Sequence, residues 1–367
     1  MSPRVQALFK EWPLLLSYGS LIVVLFFGST LFGAMGGGIS FSILFAWLFL
    51  VILFAAFGVV HHAECLAHKL GEPYGTLILT LSVIGLEVLM IVTVMLTKSE
   101  NPEMARDTMF GVLMIVVNGL FGGAIIFGAL RHRIQEVNFR STETYIGGII
   151  VLVGVGLVLP GFVKAEHLLP FEAFLIGTCV AIYGLFLWIQ TKEHRGFFIS
   201  NPVDGADEDH DGHAHDSPFG VGYHVVFMIL TLIPLVILAK QLSVVLDFGL
   251  EIFGLPDALA GLVVAILILA PEGLAAFHAA RNNNLQRALN ICLGSALATI
   301  GLTIPAVLII GFIIGQDVTL GLAPVEIVLV AMSVMLLTIN LGKGETNIMK
   351  GALHLMLFIT YCVFVFI

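Results

Sequence analysis

The sequence predicts an all-α integral membrane protein of about eleven transmembrane helices, built as one N-terminal helix and two inverted five-helix repeats. Three observations predict it. Of the 367 residues 59% are hydrophobic and 11% charged, less than half the roughly 25% charge of a soluble domain. The apolar residues gather into runs near the ~20 residues that a helix needs to cross a bilayer. The two halves of the chain also set a glutamate at matched points inside an apolar run.

In order along the chain, the expected spans are 14–34, 40–62, 74–96, 108–130, 145–163 and 172–190, then 223–240, 257–280, 288–314, 323–341 and 350–367. Span seven is short, and the adjoining apolar stretch 241–256 is expected to pair with it or form a half-helix. A short basic segment precedes the first run without a small-residue cleavage site, so that run reads as a retained helix. The organisation is therefore residues 1–39 with the first helix, 40–190 as the first repeat, a loop at 191–222, and 223–367 as the second repeat. Lys and Arg concentrate on cytoplasmic loops. With the N-terminus inside and the C-terminus outside, 12 of the 16 basic residues fall on the cytoplasmic side.

Charge and cysteine usage exclude several classes. Much of the net charge of −9 comes from the run between Asp204 and Asp216, which holds six acids, three histidines and no Lys or Arg. Such blocks are usually solvated, and a nucleic-acid partner would need a basic footprint that this chain lacks. The four cysteines are scattered with no C-x-x-C pair, so neither a disulfide framework nor a zinc site is expected. No H-E-x-x-H is present, and no nucleophile set falls at one depth, so an intramembrane enzyme is disfavoured.

Glu87 and Glu272 are the residues of interest. Glu72 precedes Glu87 by fifteen residues and Asp257 precedes Glu272 by fifteen; Arg106 then Gly111, and Arg287 then Gly294 and Ser295, follow in order. With five helices per copy, equivalent helices cross in opposite senses, as in transporters whose sites lie near mid-membrane. A carboxylate at that depth costs at least a few kcal/mol, so it is expected to face a cavity, hold a partner or carry a proton. Gly85 stands just before Glu87. Pro271 stands before Glu272 and Gly273 after it, and together they are expected to interrupt the helix and free carbonyls. Carboxylate and carbonyl oxygens suit calcium, and sodium as well. Supporting or vestibule residues are Glu64, Thr80, Ser82, Ser295, Thr299 and Glu326. Hydroxyls in membrane helices more often serve packing, and Glu326 sits where a helix N-terminal cap is expected. His61, His62 and His68 are of a type that relays protons or binds metal, but they read chiefly as solvated interfacial residues.

The stretch H-H-A-E-C-L-A-H-K-L-G-E-P-Y-G-T-L-I-L-T-L-S-V, ending at G-L-E, resembles the first alpha-repeat of bacterial cation/proton exchangers of the ChaA type. L-I-L-A-P-E-G-L and R-N-N-N-L-Q-R-A-L-N-I-C-L-G-S-A-L-A-T resemble the second. The resemblance runs from about span two to the C-terminus. It implies the calcium:cation antiporter superfamily, alternating access and a bacterial inner membrane, with Glu87 and Glu272 matching the glutamates that close the two motifs. V-I-G-L-E and L-A-P-E lack the asparagine of the G-N-x-x-E pattern found in the broader calcium/proton exchangers, which leaves calcium, sodium and potassium all open as the transported ion. The partners expected are cations, protons and lipid, with no cofactor.

Overall fold

A computed structural model describes residues 11–33, 35–36, 38–71, 74–97, 102–198, 217–256 and 258–366; at 74–77, 94, 96 and 97 only the backbone is described. Glu72, Asp257 and the acidic run 204–216 lie outside the described residues. The described chain is almost wholly helical: α1 Trp12–Gly33, α2 Ile39–Leu70, α3 Tyr74–Thr97, α4 Met104–His132, α5 Phe139–Phe162 and α6 Ala165–Glu193, then α7 Val221–Phe253, α8 Ala258–Arg281, α9 Leu285–Ile314, α10 Pro324–Leu341 and α11 Ile348–Phe366. Ten of these are long and apolar enough to cross a membrane; the described apolar part of α3, Ile78–Thr93, is shorter. The chain is a multi-pass membrane protein.

Three expectations are corrected. α7 is one continuous helix, with no division near residue 240. Pro234 is its only internal breaker, and Gly254 in the left-handed region ends it (φ 62). α8 likewise continues through Pro271 and Gly273. Proline removes one N–H bond, but the surrounding turns hold the helix, so no unwound segment forms there. α2 runs eight residues past its apolar stretch, through His61–Lys69, to stop at Gly71 (φ 63). A polar end is no obstacle where the helix emerges into water.

The chain divides into two units, Met1–Ser99 with Asp207–Pro271, and Glu100–Ala206 with Glu272–Ile367. Each therefore draws on both halves of the sequence. In the first unit α2 packs along α7, with α3 and α1 against both. The ring of Phe41 seats tightly on Gly249, where any side chain would collide with it.

The second unit is built on close helix crossings at small residues, the usual substitute for a hydrophobic drive in lipid. A Cβ at Gly122 would lie 2.8 Å from the Cβ of His354 and 3.0 Å from the Gly351 carbonyl; one at Gly148 would lie 2.7 Å from Leu297. A two-residue ribbon pairs Gln135 with Thr346 and Glu136 with Glu345, antiparallel. Stretches Ile115–Leu120, Gly154–Val158, Ile189–Glu193 and Thr299–Thr303 adopt π-helical winding, which recurs at functional sites. Apolar side chains such as Leu25, Phe26, Phe312 and Ile313 face outward, as lipid contact requires.

Candidate functional site

In the first unit Glu87 is on α3, only 2% exposed, among buried Ile84, Leu86, Met90 and Ile91. Five residues earlier, Ser82 donates its hydroxyl to the Ile78 carbonyl at 2.7 Å and lies 3.5 Å from the sulfur of Met228 on α7. Ser82 thus ties α3 to α7 one turn and a half from the carboxylate. Thr80 is partly buried on the same helix. At Gly85 a Cβ would meet nothing within 4 Å, but two residues apart on a helix the glycine and Glu87 face different sides. Glu64 on α2 is partly buried.

In the second unit Glu272 is partly buried, and its Oε2 accepts the hydroxyl proton of Ser295 on α9 at 2.7 Å. A Cβ at Gly273 would lie 2.8 Å from Leu120, so the glycine lets this half of α8 press on the π-helical part of α4. Pro271, in the preceding position, is buried. Thr299, 1% exposed, opens the π-helical part of α9 one turn beyond Ser295.

Glu326 caps α10: its Oε2 accepts the Ala323 amide at 2.8 Å and lies 4.0 Å from Nε of Arg106. Arg106 is the hub of that end, pairing with Asp107 at 2.7 Å and Glu103 at 2.9 Å and donating to the Gly321 carbonyl at 3.0 Å.

Two hydrogen-bonded groupings were not expected from the sequence, although His62 itself was singled out. In the second unit Asn118 donates to Ser333 Oγ at 2.8 Å and lies 3.0 Å from Nδ1 of His354, all fully or nearly buried. In the first, Glu11, His62, Tyr223 and His224 form a hydrogen-bonded chain. A lone polar residue inside an apolar run is itself a signal; Asn118 in I-V-V-N-G-L and His354 in G-A-L-H-L-M-L carry it.

A carboxylate held by one hydroxyl and walled by apolar side chains can bind a hard cation or a proton. Among the described residues no three His, Cys, Asp or Glu side chains gather as a metal-holding cluster. A model of the sodium/calcium exchanger protein family matches residues 40–192 and 223–367. The chain belongs to that family. This exchanger-family chain is 39% identical over 316 residues to the sodium-potassium/proton antiporter ChaA of Escherichia coli, covering 86% of each. To the putative ionic transporter y4hA of Sinorhizobium fredii it is 38% identical over 84% of each chain. A Ca2+/H+ antiporter of Aphanothece halophytica is 25% identical over 71% of this chain and 74% of its own. The fold is similar to native YfkE (TM-score 0.74, 17% identity, 96% and 98% covered) and to the H+/Ca2+ exchanger CAX (TM-score 0.69, 14% identity, 96% and 88% covered).

Proposed function

We propose that the chain is a proton-coupled cation antiporter, exchanging calcium for protons by alternating access, with Glu87 and Glu272 as the groups that hold either cation or protons. The observation that carries this reading is the presence of two carboxylates inside apolar helices, one deeply buried and one bonded to Ser295. Its relatives include proteins named as cation/proton antiporters.

Inverted repeats bring matched helices to a common depth, and the mechanism requires the two carboxylates to act on one ion there. Calcium takes carboxylate, hydroxyl and carbonyl oxygens. Protonation cancels the carboxylate charge and releases the ion. An empty, doubly charged site is too costly to carry through the apolar interior, so transit occurs with cation or with protons, and the two fluxes are coupled. The Lys and Arg distribution and the E. coli relative support a bacterial inner membrane with the N-terminus inside.

Sodium or potassium in place of calcium is the second reading. The 39% identity to a sodium-potassium/proton antiporter favours it, against 25% to a relative named for calcium.

Proton movement triggered by calcium, sodium and potassium in turn, in proteoliposomes from about pH 6.5 to about 9, tests both. Wild type should respond, and Glu87→Gln and Glu272→Gln should not. Exchange surviving both substitutions would falsify the carboxylate mechanism, and the ion series selects the cargo.

A further inference from the structure

The chain Tyr223–Glu11–His62–His224 lies wholly within the first unit and joins three segments distant in sequence. Tyr223 donates its hydroxyl to Glu11 Oε1 at 2.8 Å, and His62 Nε2 stands 3.2 Å from Glu11 Oε2. On the other side of the ring, His62 Nδ1 faces His224 Nδ1 at 3.0 Å. Both histidines are 1% exposed. Tyr223 and Phe227 are stacked on one another, and both rings lie within about 6 Å of His62.

Proton positions follow from the donor count. Glu11 accepts, so His62 Nε2 carries a hydrogen. In the neutral pair His62 Nδ1 is then an acceptor, and His224 Nδ1–H donates to it. That leaves the lone pair on His224 Nε2, which is buried and has no hydrogen-bond partner among the described residues. One more proton therefore has a defined place. Two more do not, because both facing nitrogens would then carry hydrogen.

We infer that His62 and His224 form a proton-loading pair for the exchange, taking up one proton between them with Glu11 as the fixed counter-charge. The inference rests on the proton-coupled reading above. A proton binds to the lone pair of His224 Nε2. The Nδ1–H bond of His224 then breaks as an N–H bond forms on His62 Nδ1, which leaves His224 neutral and an imidazolium beside the Glu11 carboxylate. Unloading reverses the two steps, and no other group changes its proton count. Burial opposes the charge on Glu11, but hydrogen bonds from His62 and Tyr223 and the positive potential of His62 and His61 hold its carboxyl below the usual range. It therefore stays ionised as the counter-charge.

The other titratable side chains near the pair are His61, Glu64, Cys65, His68 and Lys69 on α2; Lys69 donates to the Ser217 carbonyl at 2.9 Å. The described side chains of α3 add none before Glu87. α2 packs antiparallel to α7, with His62 on His224 and Phe41 on Gly249. α3 packs on α2 directly after it in the chain, so α3 and α7 run the same way. Met228, one turn beyond His224, meets Ser82, five residues before Glu87. At about 1.5 Å per residue the pair stands roughly 14 Å from the level of Glu87. The pair is thus set apart from Glu87 along the helix axis.

The test is cation-driven proton flux of the reconstituted full chain across pH, for wild type, His62→Gln, His224→Gln and Glu87→Gln. Each histidine substitution should move the midpoint of the rate–pH curve by about one unit while leaving apparent cation affinity at the alkaline plateau unchanged. Curves that superimpose on wild type, or rates lowered equally at every pH, overturn the inference. If Glu87→Gln is silent while the histidine curves are unchanged, the antiport reading stands and only the pair falls. If Glu87→Gln still exchanges, the role given to Glu87 falls; if the wild type itself moves no protons against any of the cations, the antiport reading falls. Nitrogen-15 histidine NMR of the full chain gives a readout independent of transport. One N–H···N coupling that His224→Gln abolishes is expected, and two rings titrating independently would refute the pair.

Discussion

The hydroxyl of Ser295 donates to Oε2 of Glu272 at 2.7 Å, from α9 to α8 within one unit. That donor favours the ionised carboxylate, because a hydrogen bond to a charged acceptor is stronger than one to the neutral acid. A hydrogen bond to a charged group is worth about 1.5–3 kcal/mol. Ser295→Ala should therefore let protons compete better, lowering apparent cation affinity about tenfold or more at neutral pH and less at alkaline pH. Ser295→Thr keeps the donor and should retain most of it. Affinity measured across pH in proteoliposomes decides; a pH-independent loss would point to packing alone.

Arg106, 8% exposed, holds Glu103, Asp107 and the Gly321 carbonyl beside the Glu326 cap. Arg106 is buried but its partners reach solvent, Glu103 being about half exposed, so losing the guanidinium costs about 1–3 kcal/mol, as for hydrogen bonds to charged groups. Arg106→Gln should lower the apparent Tm in detergent markedly. Arg106→Lys should recover only part of the loss, because an ammonium cannot span those acceptors as a planar fork does.

Gly351 and Gly122 let α11 and α4 touch backbone to backbone: a Cβ on Gly351 would lie 2.8 Å from the Gly122 carbonyl. A carbonyl cannot rotate away as a side chain does. Gly351→Leu should destabilise by about 1–3 kcal/mol or more, seen as a lower Tm. Gly147→Ala, where a Cβ meets nothing within 4 Å, should be neutral or slightly stabilising, since alanine is the better helix former.

Glu11 supplies a pH-dependent term. Its carboxyl lies below the ordinary range in the folded chain, against about 4.3 in the unfolded one. The folded state therefore binds fewer protons, and the contribution is present above the unfolded value and lost as pH falls through the folded one. The Tm gap between wild type and Glu11→Gln should be open at neutral pH and close progressively below about pH 4. A gap that stays constant through acid would show that the carboxylate charge is not what Glu11 contributes.

The eleven apolar helices, and the lone carboxylates within α3 and α8, were legible in the sequence. Both are local properties: a run of some 20 apolar residues has few other outcomes, and a charge inside one is conspicuous. What the helices do to each other was not legible. That α7 runs unbroken past Lys240, and that α8 continues through Pro271, depends on the neighbouring turns and packed helices that hold them. Ser295 was a candidate by type, but its bond to Glu272, 23 residues away, required α8 and α9 to lie side by side. His62 read as an interfacial residue because its partners stand 51 and 162 residues distant. Which segments are apolar enough to cross a membrane, and which side chains are costly there, is legible residue by residue because transfer from water is summed that way. Tertiary structure decided who satisfies those side chains, because a hydrogen bond needs two atoms within about 3 Å, and only packing brings them there.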